Sequence, residues 1–404
     1  MTAGKRAAGV GTQCARAALH APIRGEPTAP PIPQATAWAF RNVEDADAAF
    51  NASGDSELYA RLGTPLHGAV ERTLAGLEGV EAACLFSTGM AAITAAIDAL
   101  CPPGALLLAS PDLYGTTDTY LNGMFRERGG RVARVDMADL GAVERALADR
   151  PAAVLLEVLT NPSLKVLELD RVAALAHAAG ALVLVDATFT PPTLLRVAAL
   201  GADVVHHSAS KFLAGHGDVS AGVVAGPRAV VDRVRTRRSV LGAHLGALEA
   251  WLLARGLRTL HLRTAAACDN ALFLAHRFEH RRAAGRLPAL RRVVHPALPG
   301  HAAAGWLGRA AGGRFGMMLC IELKDADAAA LFVRHLEDIR LVPSLGDVAT
   351  SVTIPARSSH RGVPPAERLA RGITDGLVRI SVGVEDPLDV AEDMERALAA
   401  CPAA

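Results

Sequence analysis

Ala181-Leu182-Val183-Leu184-Val185-Asp186-Ala187-Thr188-Phe189 is a short apolar run that ends in an acid. A run this brief, rich in Val and Leu, reads as a strand buried on both faces of a parallel sheet. The acid then falls at the carboxyl end of the strand. Open α/β sheets bind ligands at that edge. An Asp there can equally cap a helix or make a turn. Its meaning depends on what the rest of the chain brings to the same edge.

Outward from this run the pattern repeats. Ala83 to Phe86, Ala105 to Ala109, Arg131 to Val135, Ala152 to Leu156 and Val204 to His207 read as further strands. Helical spacing lies between them, in Val70, Leu74 and Leu77, in Gly89 to Leu100, and in Val172, Leu175, Ala176 and Ala179. Such alternation predicts an α/β fold with a mostly parallel sheet covered by helices on both faces. Residues 1–62 are Pro-rich and read as an extended arm, 63–256 as the sheet domain and 257–404 as a smaller α+β domain. Arg291 to Val294, Met317 to Glu322 and Leu377 to Val382 are its strand candidates.

Lysine is scarce: only Lys5, Lys165, Lys211 and Lys324 occur in 404 residues. Lys211 follows the strand at 204–207 in Ser208-Ala209-Ser210-Lys211. Arginine supplies charge but is not deprotonated in proteins, whereas a neutral lysine amine condenses with aldehydes. A lysine kept here suggests amine chemistry, and a surface lysine after a strand is the plain alternative. Ser87-Thr88-Gly89-Met90 follows a strand and opens a helix, which offers N–H groups to a phosphate or merely caps the helix. Only three tyrosines exist, Tyr59, Tyr114 and Tyr120. Tyr114 follows a strand at its carboxyl end and can supply a flat partner for a ring or shuttle a proton. Arg379 sits inside an apolar strand, where it needs either a structural acid or a substrate carboxylate.

Composition narrows the classes. A net charge of +1 gives no reason to expect nucleic acid or an anionic membrane. No apolar stretch is long enough to cross a bilayer, and no signal-peptide core is visible. Six scattered cysteines show neither a disulfide framework nor a zinc pattern. His206, His207 and His216 lack metal-site spacing, since adjacent histidines on a strand face opposite ways. No metal is expected, and a reducing cytoplasm is the default location.

Together these segments resemble the Cys/Met-metabolism (trans-sulfuration) family of pyridoxal 5'-phosphate (PLP) enzymes. The resemblance runs from about residue 12 to 395. It is carried by Pro30-Pro31-Ile32-Pro33-Gln34, Tyr59-Ala60-Arg61, Ser87 through Ile93, Asn161-Pro162, Val185 through Phe189, Ser208 through Lys211 with Gly215-His216-Gly217-Asp218, Ser344-Leu345-Gly346-Asp347 and Arg379 through Gly383.

The resemblance implies a fold-type I, aminotransferase-like architecture and PLP as coenzyme. It implies that Lys211 holds the coenzyme and moves protons, and that Asp186, with Thr188 beside it, serves the ring nitrogen. Gly89, Met90, Ser208 and Ser210 would bind the phosphate. Tyr59 and Arg61 would reach the phosphate of a neighbouring subunit, in a dimer or, as is usual in the family, a homotetramer. Tyr114 would stack on the ring and serve the leaving group. Asn161, Ser344 and Arg379 would hold the substrate carboxylate.

The motifs look most like methionine γ-lyase and the cystathionine lyases. That implies a carbon–sulfur lyase acting on a small sulfur amino acid. Thr116, Val240-Leu241 and Pro343 depart from those patterns. They leave open γ-replacement on an O-acylhomoserine, of sulfhydrylase or cystathionine γ-synthase type, and cystathionine β-lyase chemistry.

Overall fold

The computed structural model describes residues 27–51 and 58–404. Of the expected arm, residues 1–26 and 52–57 lie outside the described residues. A helix, Val43–Asn51, occupies part of the stretch expected to be irregular. It buries none of its residues.

A seven-stranded sheet holds the first half of the chain. Its strands are β1 (Ala82–Phe86), β2 (Leu106–Ala109), β3 (Arg131–Arg134), β4 (Ala153–Glu157), β5 (Leu182–Asp186), β6 (Val204–His207) and β7 (Gly222–Gly226). They stand in the order β1-β7-β6-β5-β4-β2-β3. All run the same way except β7, which is antiparallel to both β1 and β6. The strand expected at 181–186 is thus β5, in the interior between β4 and β6.

Side-chain alternation explains the apolar runs. Val183 and Val185 pack into the core on one face, and Leu184 into that on the other. Val154 and Leu156 likewise oppose Leu155. Each face is covered by helices, so both sets of side chains leave water. The covering helices have legible ends. Thr64 caps Pro65–Glu78 by accepting from the His67 N–H, Pro65 opens it, and Gly79 closes it in the left-handed region at φ 76°. Thr88 caps Gly89–Leu100 by accepting from the Ala91 N–H.

The second half builds a five-stranded sheet beside the 24-residue helix Leu260–Ala283. Its strands are β8 (Arg292–Val294), β9 (Met318–Glu322), β10 (Arg340–Leu341), β11 (Ser351–Thr353) and β12 (Leu377–Ser381). The order is β10-β11-β12-β9-β8, antiparallel except for the β10/β11 pair. A separate core packs under this sheet, centred on residues such as Phe278, Ile321, Phe332 and Ile380.

Candidate active site

The carboxyl edge of the large sheet opens into a cavity of about 500 Å³. Asp186 enters from β5, and Thr188 from the turn after it. Ser208, Ser210 and Lys211 follow β6. Gly89 and Met90 come from the helix after β1, and Tyr114 from the segment after β2. Asn161 follows β4. The second sheet closes the cavity with Arg379 from β12 and Ser344 from the segment between β10 and β11.

Lys211 lies part-buried, and its Nζ donates to Ser344 Oγ at 2.8 Å. Burial, and then the charge of Arg379, pulls its pKa below the ordinary lysine value. More of the amine is therefore neutral, the form that attacks aldehydes and accepts protons.

Asp186 is approached at both oxygens, with His206 Nδ1 3.2 Å from Oδ2. Its Oδ1 accepts from the Thr188 N–H at 3.0 Å and from Thr188 Oγ1 at 2.6 Å. Burial pushes its carboxyl up, but His206 beside it and the Thr188 hydrogen bonds outweigh this and hold it below its ordinary range. Glu157 ends β4 directly beside it in register. Burial, and then the Asp186 charge, drives Glu157 well above the usual carboxylate range. Its two oxygens accept from the Tyr114 N–H at 2.7 Å and the Asn161 N–H at 3.0 Å. Two carboxyls at neighbouring strand ends are thus shifted in opposite directions, Asp186 towards the ionised form and Glu157, which holds the Tyr114 and Asn161 loops, towards the protonated one.

Gly89 forms part of a tight cradle. A Cβ there would lie 2.8 Å from both Cβ and Oγ of Ser208. The Ser208 N–H donates to Thr188 Oγ1 at 2.9 Å, which ties the cradle to the Asp186 turn. Ser210 Oγ donates to the Ala221 carbonyl at 3.2 Å and accepts the Ala221 N–H at 2.9 Å.

Arg379 is only 4% exposed. It donates to Asn161 Oδ1 at 2.7 Å and to the Ser344 carbonyl at 3.1 Å. Its Nε is buried with no partner. Among the described residues no carboxylate pairs with it, and burial lowers its pKa to about 10. A guanidinium left like this is complementary to an incoming carboxylate.

These features fit PLP. A depressed-pKa amine faces the cavity, an ionised carboxylate keeps one oxygen clear of the Thr188 bonds, and a glycine with no room for a side chain opens a helix beside the Ser208 hydroxyl. PLP supplies, when bound, an electron-accepting ring that stabilises charge at the substrate α-carbon.

Tyr59 and Arg61 stand outside the cavity. Both are exposed; the Arg61 guanidinium lies 5.6 Å from the Tyr59 ring centroid and donates to the Ser239 carbonyl at 2.8 Å. The structure also brings in residues that sequence reasoning missed. Glu157 repeats the pattern of an apolar run ending in an acid, a signal that was there to find. His206 faces Asp186 while His207 faces Glu78 from the opposite side of the strand, at 2.5 Å. Ser359 packs against the start of the Tyr114 helix, where a Cβ on Gly115 would lie 2.8 Å from the Ser359 carbonyl.

Comparison with known proteins agrees with this geometry. Residues 11–399 match the family model described as Cys/Met metabolism PLP-dependent enzyme. The chain is 37% identical over 377 residues to L-methionine gamma-lyase of Pseudomonas putida, covering 92% of each. It is 36% identical to cystathionine gamma-lyase of Bacillus subtilis (strain 168), over 84% of this chain and 88% of that one. Among solved structures, cystathionine gamma synthase of Xanthomonas oryzae pv. oryzae, in complex with aminoacrylate and cysteine, matches with a TM-score of 0.84 and 30% identity over 92% of each chain. The fold is that of fold-type I PLP enzymes. With its lysine, its strand-end acid and its helix-start glycine on one sheet edge, the chain belongs to the Cys/Met metabolism family of PLP-dependent, trans-sulfuration enzymes, with pyridoxal 5'-phosphate as coenzyme.

Proposed function

We propose that this enzyme is a carbon–sulfur lyase that eliminates a thiol from a small sulfur amino acid. The single observation that carries the reading is Arg379, a buried guanidinium with an orphaned Nε and no acidic partner, 2.7 Å from Asn161 at the cavity wall. That arrangement suits an α-carboxylate. The roles assigned to the other cavity residues are part of the same proposal.

Arg379 and Asn161 anchor the substrate carboxylate, and Ser344 orders the wall beside them. This presents the α-carbon to Lys211. The neutral Lys211 Nζ takes the α-proton and carries protons between neighbouring carbons. Asp186, kept ionised, would hold the proton on the ring nitrogen of bound PLP. Gly89, Met90, Ser208 and Ser210 would enclose its phosphate. Tyr114, 39% exposed on the cavity wall, protonates the departing sulfur. Thiol leaves, and hydrolysis of the remainder gives a 2-oxo acid and ammonia.

The match to a cystathionine gamma synthase supports a second reading, γ-replacement on an O-acylated homoserine. Product analysis separates the two. Purified enzyme is supplied with methionine, cystathionine, homocysteine, cysteine and O-acetylhomoserine, with and without added thiol. Release of 2-oxo acid and ammonia from a thioether supports elimination. A new thioether formed only from the O-acyl substrate overturns it in favour of replacement.

We further propose a cytoplasmic homotetramer in which Tyr59 and Arg61 serve a neighbouring subunit's phosphate. Their exposure outside the chain's own cavity supports this, as do Val43, Phe50, Val240 and Leu241, each at least 69% exposed. Apolar side chains in water on the arm and an adjacent helix end suit an interface. The five described cysteines are free, which suits a reducing compartment. No helix among the described residues is long and apolar enough to cross a membrane.

A further inference from the structure

His206 is 3% exposed and sits on β6 between two oxygen atoms. Its Nε2 lies 2.9 Å from the Gly89 carbonyl oxygen, which only accepts. Nε2 must therefore carry a hydrogen. Its Nδ1 lies 3.2 Å from Asp186 Oδ2. Nδ1 is buried and makes no hydrogen bond of its own, so the Asp186 carboxylate is the charged group it faces. We infer that His206 is a positioning residue that links the Asp186 carboxylate to the Gly89 carbonyl across β6 and holds Asp186 in its ionised form.

The bridge joins two parts of the coenzyme site. Asp186 serves the ring end, and Gly89 opens the helix at the phosphate end. Through His206 the two are fixed to one strand and to each other. The charges facing this pair all bear on its state. Glu157 flanks Asp186 on β4, while the Lys211 amine and the Arg379 guanidinium share the cavity. Without His206 beside it, Asp186 would face burial and its carboxyl neighbour with only the Thr188 hydrogen bonds to keep it ionised. His206 thus lets Asp186 stay anionic down to lower pH.

The experiment is a titration of coenzyme-free enzyme with PLP from mildly acidic to mildly alkaline pH, read as the dissociation constant. His206→Val removes both contacts. His206→Gln removes the imidazole beside Asp186 but keeps an amide that can donate to the Gly89 carbonyl. His206→Val is expected to weaken PLP binding about tenfold or more, the scale of one hydrogen bond to a charged group. His206→Gln is expected to fall between it and wild type. In both variants the acid limb of the affinity profile moves to higher pH, because Asp186 protonates earlier.

A purely structural histidine would weaken binding without moving that limb. An unmoved limb in a folded variant overturns the inference, as does an unchanged dissociation constant for His206→Val. Should His206→Val fail to fold, the limb in His206→Gln decides. The test uses coenzyme alone, so its outcome is independent of which amino acid the enzyme cleaves.

Discussion

Arg379 and Lys211 show how a single residue's surroundings set its chemistry. Replacing Arg379 with Ala removes the guanidinium that donates to Asn161 Oδ1. The expected result is a KM for amino-acid substrates raised by about ten- to a hundredfold, the scale of one lost charged hydrogen-bond pair, with PLP still bound. Steady-state kinetics checks it, and an unchanged KM removes Arg379 from carboxylate binding. Lys211→Ala removes the cavity's amine altogether. The variant should bind PLP without covalent attachment and show no turnover. Borohydride reduction followed by peptide mapping checks this: a labelled lysine elsewhere would refute the assignment. The pairing of His206 with Asp186 escaped the sequence reading for a physical reason. A buried polar side chain announces its partner only through register, and register between strands far apart in sequence is fixed by the fold.

Elements were legible in proportion to how completely they are buried. β4, β5 and β6 lie inside the sheet, so their residues form short apolar runs that stand out from the flanking helices. β7 is equally buried but was not read as a strand, because glycines at both ends, Gly222 and Gly226, resemble turn signals. The glycines are there for contact. A Cβ on Gly222 would lie 2.2 Å from the Thr88 carbonyl oxygen, and one on Gly226 would lie 2.7 Å from the Asp203 carbonyl oxygen. β10 and β11 are two and three residues long, too short for any periodicity to register. The Gly222 contact yields a prediction at this scale. Gly222→Ala pushes β7 off the cap of the helix Gly89–Leu100, so it should cost about 1–3 kcal/mol of stability. It should also weaken PLP binding, because Thr88 and Gly89 shift together. Denaturant midpoints with and without PLP test it. A loss equal in both conditions would separate the strand contact from the coenzyme cradle.

For the whole molecule, the arrangement of the sheets follows from the three cores, and the candidate site forms where the second sheet meets the carboxyl edge of the first. That meeting was foreseen only through resemblance, because no periodicity within Leu377–Ser381 says which cavity Arg379 will enter. The same burial makes stability depend on pH. His295 and His360 are each 1% exposed. Burial lowers His295 to about 4, opposed by a backbone hydrogen bond at Gly316 and aided to a smaller degree by His276 and His301. Burial, then Arg371, Arg379 and Arg368, lowers His360 to about 4. In the unfolded chain both return to the ordinary value of 6.5. Between those values the unfolded chain binds protons that the native protein refuses, so stability rises with pH across that window and falls as acid is added. The slope is about 1.4 kcal/mol per pH unit for each such group. Above 6.5 both states are neutral at these positions, and the dependence fades. Urea midpoints should therefore fall steadily from neutral pH towards pH 5, before most carboxylates begin to titrate. His360→Gln should flatten that slope by about one such group while leaving the contribution of His295 in place. Parallel curves for wild type and variant would show that His360 takes up its proton in the native protein, and that the arginines around it do not set its charge.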